Sequence, residues 1–182
     1  MQNTNYTCFS GGAPGSDYIF ENESIKRKFK VIAYSFEGHN TKSKNRLILT
    51  PEELEEGFKH IEIANKQLKR NLSNLQPYIK NLIARDWFQV KNSDAIFAVG
   101  MVSMNNVLGG TGYAVACAID NKKPVYVFDQ NDCYWNTFDY DDKQFRICEA
   151  PILTEKFAGI GTRNINNDGI NAIVNLFKKI NL

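Results

Sequence analysis

The apolar residues of this chain fall into short runs. Between them lie stretches in which apolar positions recur every three or four residues. Short runs bounded by turns read as buried strands, and the longer repeats read as amphipathic helices. Tyr6-Thr7-Cys8-Phe9 forms the first strand in this reading. A helix follows from about Ser16 to Phe29, then a second strand from Lys30 to Phe36. Residues 37–50 are polar and read as a loop. Thr50-Pro51-Glu52-Glu53 marks a helix start, with Thr50 as N-cap, Pro51 at the first helical position and Glu53 completing a capping box. That helix should run to about Leu68. Ile79, Leu82, Ile83 and Trp87 place another helical stretch at about Pro77 to Val90.

Strand Ala95 to Val99 comes next, then a loop carrying Met101, Met104, Asn105 and Asn106. A helix of small and apolar residues spans about Gly112 to Asn121, before the strand Pro124 to Phe128. Asp129 to Asp142 reads as a polar and aromatic loop, and Phe145 to Cys148 as an edge strand. Phe157 to Arg163 is a strand ending in a glycine turn, and Asn167-Asp168-Gly169 caps a last helix to about Lys179. Strands alternating with helices predict an α/β fold, a three-layer Rossmann-like sandwich with a mostly parallel central sheet. With no internal repeat or linker, residues 1–182 read as a single nucleotide-binding domain.

Composition narrows the classes. The 182 residues are 43% hydrophobic, enough for one sizeable core. Lys and Arg number 22 against 20 Asp and Glu, so nothing demands a nucleic-acid or anionic-membrane partner. Lys26-Arg27-Lys28 and the group Lys42, Lys44 and Arg46 read as solvated faces. Cys8, Cys117, Cys133 and Cys148 form no CxxC pair and have no metal-ligand spacing with His39 or His60. No disulfide framework, metal site or cofactor is predicted, and Cys8 and Cys117 read as core residues. The first residues, Met1 to Asn5, carry no charged or apolar leader, and no apolar run approaches a membrane span. A cytoplasmic protein is expected.

Three glycine turns carry the chemistry. Leu108-Gly109-Gly110-Thr111-Gly112-Tyr113-Ala114 follows a strand and opens a helix. Such a turn exposes backbone N–H groups at the positive end of a helix dipole, which favours an anion such as phosphate. Ser10-Gly11-Gly12-Ala13-Pro14-Gly15-Ser16-Asp17 is a second turn of the kind. Ser10 and Ser16 can donate hydroxyls there, and Asp17 can accept from a ribose or orient a donor; alternatively Ser16 is an N-cap in an ordinary turn. Gly159 to Arg163 is the third, with Gly161 close to a ligand and Arg163 as a fork for phosphate, or as a surface arginine. All three lie at the carboxyl ends of strands, where α/β sheets bind ligands.

Glu37 and His39 follow the second strand and read as a ribose carboxylate and a proton carrier, or as polar loop residues. Tyr134 and Trp135 either stack on a base or cover the sheet. Arg85 either turns into the site or forms a helix-surface ion pair. Neither G-x-G-x-x-G nor G-x-x-x-x-G-K-[ST] is present.

The order SGGAPGSD, Arg85, SDAIFAVG, GGTGYA and KPVYVF resembles the SLOG superfamily of Rossmann-like nucleotide-binding domains, over roughly residues 6–128. That group includes the Lonely Guy phosphoribohydrolases, the single-strand DNA-binding protein DprA and sensor domains of antiphage systems. SGGAPGSD is also similar to the first turn of proteins described as molybdenum-cofactor carriers. FAGIGTR is similar to phage- or prophage-borne members.

The resemblance implies a small nucleotide-like ligand held by the glycine turns and Arg85, no membrane, and a homo-oligomer. The Lonely Guy pattern P-G-G-x-G-T-x-x-E is only partly kept: Leu108 replaces the proline, Tyr113 the threonine and Ala116 the glutamate. Alanine cannot stabilise an oxocarbenium-like centre or place a water. The resemblance therefore implies binding more than hydrolysis. Asp17, Glu37 and Asp129 are the candidate carboxylates from elsewhere in the chain, with Arg85 as a further catalytic candidate. A DprA-like DNA module is the third reading, and the near-neutral charge argues against it.

Overall fold

The computed structural model describes residues 5–180, so the leaderless reading of the first four residues lies outside the described residues. The first half of the chain forms β1 (Thr7–Ser10), α1 (Ser16–Lys26), β2 (Lys30–Ser35), β3 (Arg46–Ile48), α2 (Pro51–Leu68), α3 (Pro77–Ala84) and α4 (Asp86–Asn92). The second half forms β4 (Ala95–Gly100), β5 (Val102–Ser103), β6 (Asn106–Val107), α5 (Thr111–Asp120), β7 (Val125–Asp129), β8 (Tyr134–Asp139), β9 (Gln144–Cys148), β10 (Lys156–Gly161) and α6 (Asn167–Lys178). Eight strands make one sheet in the order β3-β2-β1-β10-β4-β7-β8-β9. The strands from β3 to β7 in that order are parallel, and β8 and β9 add an antiparallel edge. The protein is an α/β three-layer sandwich of Rossmann-like type.

The two-residue period of a strand divides the core. Phe9, Ile96, Ala98, Ala158 and Ile160 face a layer made by α2, α3, α4 and α5. Cys8, Phe97, Val99 and Phe157 face the opposite layer, made by α1 and α6. Both faces of β4 are therefore buried, which explains its unbroken apolar run. The α2 start is as the sequence predicts: Thr50 accepts from the Glu53 N–H, and Glu53 reaches back to the Thr50 N–H. Cys8 and Cys117 are buried.

Several elements depart from the expected boundaries. The helical stretch from Pro77 divides at Arg85, which ends α3 and begins α4. The segment read as a loop from Asp129 to Asp142 contains β8, whose Trp135 and Phe138 are buried on opposite faces of the sheet while Tyr134 is exposed. Its acidic composition masks Tyr, Trp, Thr and Phe, which favour a pleated, half-buried surface. β3 lies in the polar segment 37–50; its three residues are exposed, so no buried face marks it. The loop after β4 holds the small β5–β6 hairpin. The last helix is capped by Asn166, whose side chain accepts from Gly169 N–H at 2.8 Å, one residue before the expected cap.

The strand order positions a cleft. From β1 the chain steps outward to β2 and β3, and from β4 it steps the other way to β7. The last parallel strand, β10, fills the place between β1 and β4. A crevice forms where successive crossovers diverge, outside the carboxyl ends of the strands. Among the described residues no helix is long and apolar enough to cross a membrane.

Candidate functional site

A crevice of about 660 Å³ opens at the carboxyl ends of β1, β10 and β4, a size typical of small-molecule sites. The three glycine turns meet there although they are far apart in sequence. Ala13 and Asp17 come from the first turn, Leu108 to Thr111 from the second, and Gly161 to Asn164 from the third. Ile79, Leu82 and Ile83 of α3 supply an apolar wall, and Tyr113 and Met101 flank the second turn. Arg85 and Asp86 line the crevice from the junction of α3 and α4.

Arg85 turns inward. It is 5% exposed, and its Nε and Nη1 make no hydrogen bond. Nη1 lies 4.0 Å from Asp17 Oδ2, close enough for attraction but beyond hydrogen-bond reach. Gly11 makes room for this guanidinium, since a β-carbon there would lie 1.3 Å from Nη1. A buried donor left without a hydrogen bond costs free energy, which the attraction of Asp17 at 4.0 Å offsets only in part.

Two carboxyls share this guanidinium. Asp17 Oδ2 accepts from the N–H groups of Gly11 at 3.1 Å and Ala13 at 3.3 Å. Burial pushes the Asp17 carboxyl up to about 6, against the opposing pull of Arg85 and those amides. Asp86 is pushed by burial to about 7, again with Arg85 pulling it down and Asp17 adding to the rise. With its amide oriented to suit both neighbours, Gln89 donates to Asp86 Oδ1 at 3.2 Å and accepts from Gly11 N–H at 2.9 Å. Two carboxylates and one guanidinium would leave net negative charge buried. Burial, with the repulsion of Asp17 added at Asp86, holds both carboxyls above the ordinary carboxylate range.

The turns differ in what they leave free. In the first, the amides of Gly11 and Ala13 go to Asp17, and that of Gly12 to the Ser10 hydroxyl at 3.0 Å. Ser10 donates in turn to Glu21 at 2.6 Å. Ser16 is the first residue of α1 and not its N-cap, which is Gly15 with no side-chain cap; its N–H and its hydroxyl both donate to Thr162 O in the third turn. Gly15, at φ +88°, lets this contact form; a β-carbon there would lie 2.4 Å from Thr162 O. Ser10, Gly11, Gly12 and Ser16 thus use their donors in building the wall and holding Asp17, and Gly15 shapes the turn.

The second turn is open. Among the described residues, the N–H groups of Gly110 and Thr111 have no partner, while those of Gly112 and Tyr113 bond back to Gly109 and Gly110. α5 has no side-chain cap, and a β-carbon at Gly110 would meet nothing within 4 Å. Gly112 is fixed by packing, with the Val107 carbonyl 2.1 Å from where its β-carbon would be. Gly161 and the exposed Arg163 border the crevice beside Asn164 and Gln130. Gln130 accepts from Asn166 N–H at 2.7 Å.

Other sequence candidates lie elsewhere. Glu37 is exposed and does not line the crevice. Both oxygens of Asp129 are used by backbone N–H groups, Oδ2 by Val102 and Oδ1 by Asn131, each at 2.8 Å. His39 is buried, stacks on Phe36 and meets the Ser35 hydroxyl at 2.9 Å. Burial and the nearby Arg85, Arg163 and Arg46 push it down to about 4, so it is neutral at physiological pH and no proton carrier there. Trp135 packs edge-on against Phe128 and covers the sheet. Tyr134 is 56% exposed, outside the crevice lining. Ala116 is buried in the core of the α5 layer.

Sequence reasoning missed Asp86 and Gln130, which line the crevice, Gln89, which joins Asp86 to Gly11, and Arg70, which donates to the Gly109 and Val107 carbonyls at the second turn. Asp86 stands beside Arg85 in the sequence, and both line the crevice at the junction of α3 and α4. Arg70 carries no motif and becomes visible only through the loop that follows α2. Set against known protein families, curated proteins and solved structures, the chain matches none.

Proposed function

We propose that the crevice binds a nucleotide or nucleotide-derived ligand, such as a nucleoside phosphate, an ADP-ribose-like molecule or a cyclic nucleotide signal. The observation that carries this reading is the buried guanidinium of Arg85, whose Nε and Nη1 make no hydrogen bond among the described residues, lining the same crevice as an uncapped glycine turn at the start of α5. A phosphate on the free amides of Gly110 and Thr111 answers the turn and the helix dipole. Ribose hydroxyls have acceptors in Asp17 and Asp86, and a base has the apolar wall of Ile79, Leu82 and Ile83. The SLOG resemblance agrees with this reading at the level of fold and turn placement. It extends it to a sensor or ligand carrier in a phage or antiphage setting. Calorimetric titration with nucleoside monophosphates, ADP-ribose and cyclic nucleotides tests the reading. A saturable heat with at least one is expected, and no heat from any would remove it.

A second reading, a nucleotide N-glycosidase, is supported by the two buried carboxyls beside Arg85. In that reaction water adds to the anomeric carbon, the bond to the base breaks, and the base leaves with a proton. Asp86, pushed to about 7, is the carboxyl placed to pass protons near neutral pH. Chromatography for released base tests it. Release that is lost in Asp86→Asn supports the reading, and absence of release from the wild type removes it.

A further inference from the structure

The geometry points to Arg70 as the positioning residue of the second turn: its guanidinium locks the peptide between Gly109 and Gly110 so that the Gly110 N–H is held ready for an anion. Arg70 follows the left-handed C-cap of α2, Lys69 at φ +52°. Its own carbonyl is tied down by Asn65, whose side chain donates to it at 2.6 Å. From there the side chain reaches across to the start of α5. Nη1 donates to Gly109 O at 2.7 Å and Nη2 donates to Val107 O at 3.0 Å. The same guanidinium lies over the Tyr113 ring, 4.8 Å from its centre. It also closes one side of the packing at Gly112, where a β-carbon would lie 2.7 Å from Nη2.

The consequence follows from the planar trans peptide. The C=O of one residue and the N–H of the next point in opposite directions across the same rigid unit. Holding the Gly109 carbonyl on Arg70 therefore turns the Gly110 N–H away from Arg70. Two glycines flank this peptide, Gly109 at φ +67° and Gly110 with open space around it. Glycine itself does not fix its orientation; within the turn the Gly109 carbonyl also accepts from the Gly112 N–H at 3.2 Å, and Arg70 adds the shorter, charged hold. A rotated peptide would present a carbonyl oxygen to the anion in place of a donor. The fork of arginine suits the task, because it takes two carbonyls with a fixed geometry that an ammonium group lacks. A ligand here is indicated independently by Arg85, which is buried, has no hydrogen bond at Nε or Nη1 among the described residues, and lines the same crevice.

This inference rests on the nucleotide reading of the crevice. Its test compares wild type, Arg70→Leu and Arg70→Lys by calorimetric titration with nucleoside monophosphates, ADP-ribose and inorganic phosphate. Amide NMR of Gly110 and Thr111 and the unfolding midpoint are recorded for each. The clamp predicts that both variants bind at least about tenfold more weakly, with the Gly110 amide resonance shifted or broadened in the ligand-free protein. A purely electrostatic role predicts that Arg70→Lys matches the wild type; that result overturns the clamp. Equal binding by Arg70→Leu also overturns it. Should Arg70→Leu fail to fold, Arg70→Lys decides alone by the same criterion. A wild type that binds none of these probes overturns the crevice reading itself, and the clamp with it.

Discussion

Gly11 shows how a single missing side chain can define a site. Its α-carbon sits where any β-carbon would overlap the Arg85 guanidinium. Gly11→Ala should therefore displace Arg85, weaken nucleotide binding and destabilise the fold by about 1–3 kcal/mol, the usual range for overpacking. Paired calorimetry and urea denaturation would measure both effects. The carboxyls beside Arg85 make a pH prediction. Asp17 and Asp86 ionise in the folded protein at about 6 and about 7, above their ordinary 3.8. Below the ordinary value both states are protonated and nothing is lost. As pH rises from about 4 to 7 the unfolded chain releases these protons first, so stability falls across that window. Asp86→Asn should flatten the fall and make the protein more stable than wild type at pH 8, on the order of 1–3 kcal/mol. A denaturation series against pH checks it, and an unchanged slope would contradict it. Sequence alone offered Arg85 as either a surface ion pair or an inward group. Only burial and the neighbouring Asp17 separate the two, because both readings use the same local residues.

At the scale of elements, the α2 start was fully legible. Thr50, Pro51 and Glu53 act through contacts within one turn of the chain, so local sequence contains the whole cause. Thr50→Ala should cost about 1 kcal/mol, read as a lower urea midpoint with an unchanged slope. β4 and β7 were legible for a related reason, since strands buried on both faces need continuous apolar runs. β8 and β3 were not. β8 is held by pairing with β7 and β9 on either side, and β3 by pairing with β2 alone. Neither cause is visible in a local window. The single stretch read from Pro77 to Val90 shows a further limit. Its three-to-four-residue repeat runs through Arg85, so periodicity could not reveal the break at which Arg85 and Asp86 line the crevice.

At the scale of the whole molecule, the placement of β10 between β1 and β4 is what brings three distant turns to one crevice. The sequence placed each turn after a strand, and the rule for parallel sheets then put them on the same edge. Which turn kept free donors depended on long-range contacts: Thr162 against Ser16, and Arg70 against Gly109. The net charge of +2 carries its own prediction. A gel shift with single-stranded DNA should show no binding with the steep salt dependence that phosphate neutralisation produces; such binding would favour the DNA-module reading instead. The central claim is that a ligand phosphate lies on the Gly109–Thr111 turn, and Gly110→Asp tests it most directly. A β-carbon at this position meets nothing within 4 Å, and a carboxylate at the start of α5 suits the helix dipole. Folding should therefore be preserved while a like charge occupies the anion position. The measurement is a calorimetric titration of wild type and Gly110→Asp with nucleoside monophosphates, ADP-ribose and cyclic nucleotides, with unfolding midpoints alongside. The expected result is saturable binding by wild type, weakened at least about tenfold in the variant at an unchanged midpoint. Equal binding by a folded Gly110→Asp, or no binding by wild type, would contradict the account.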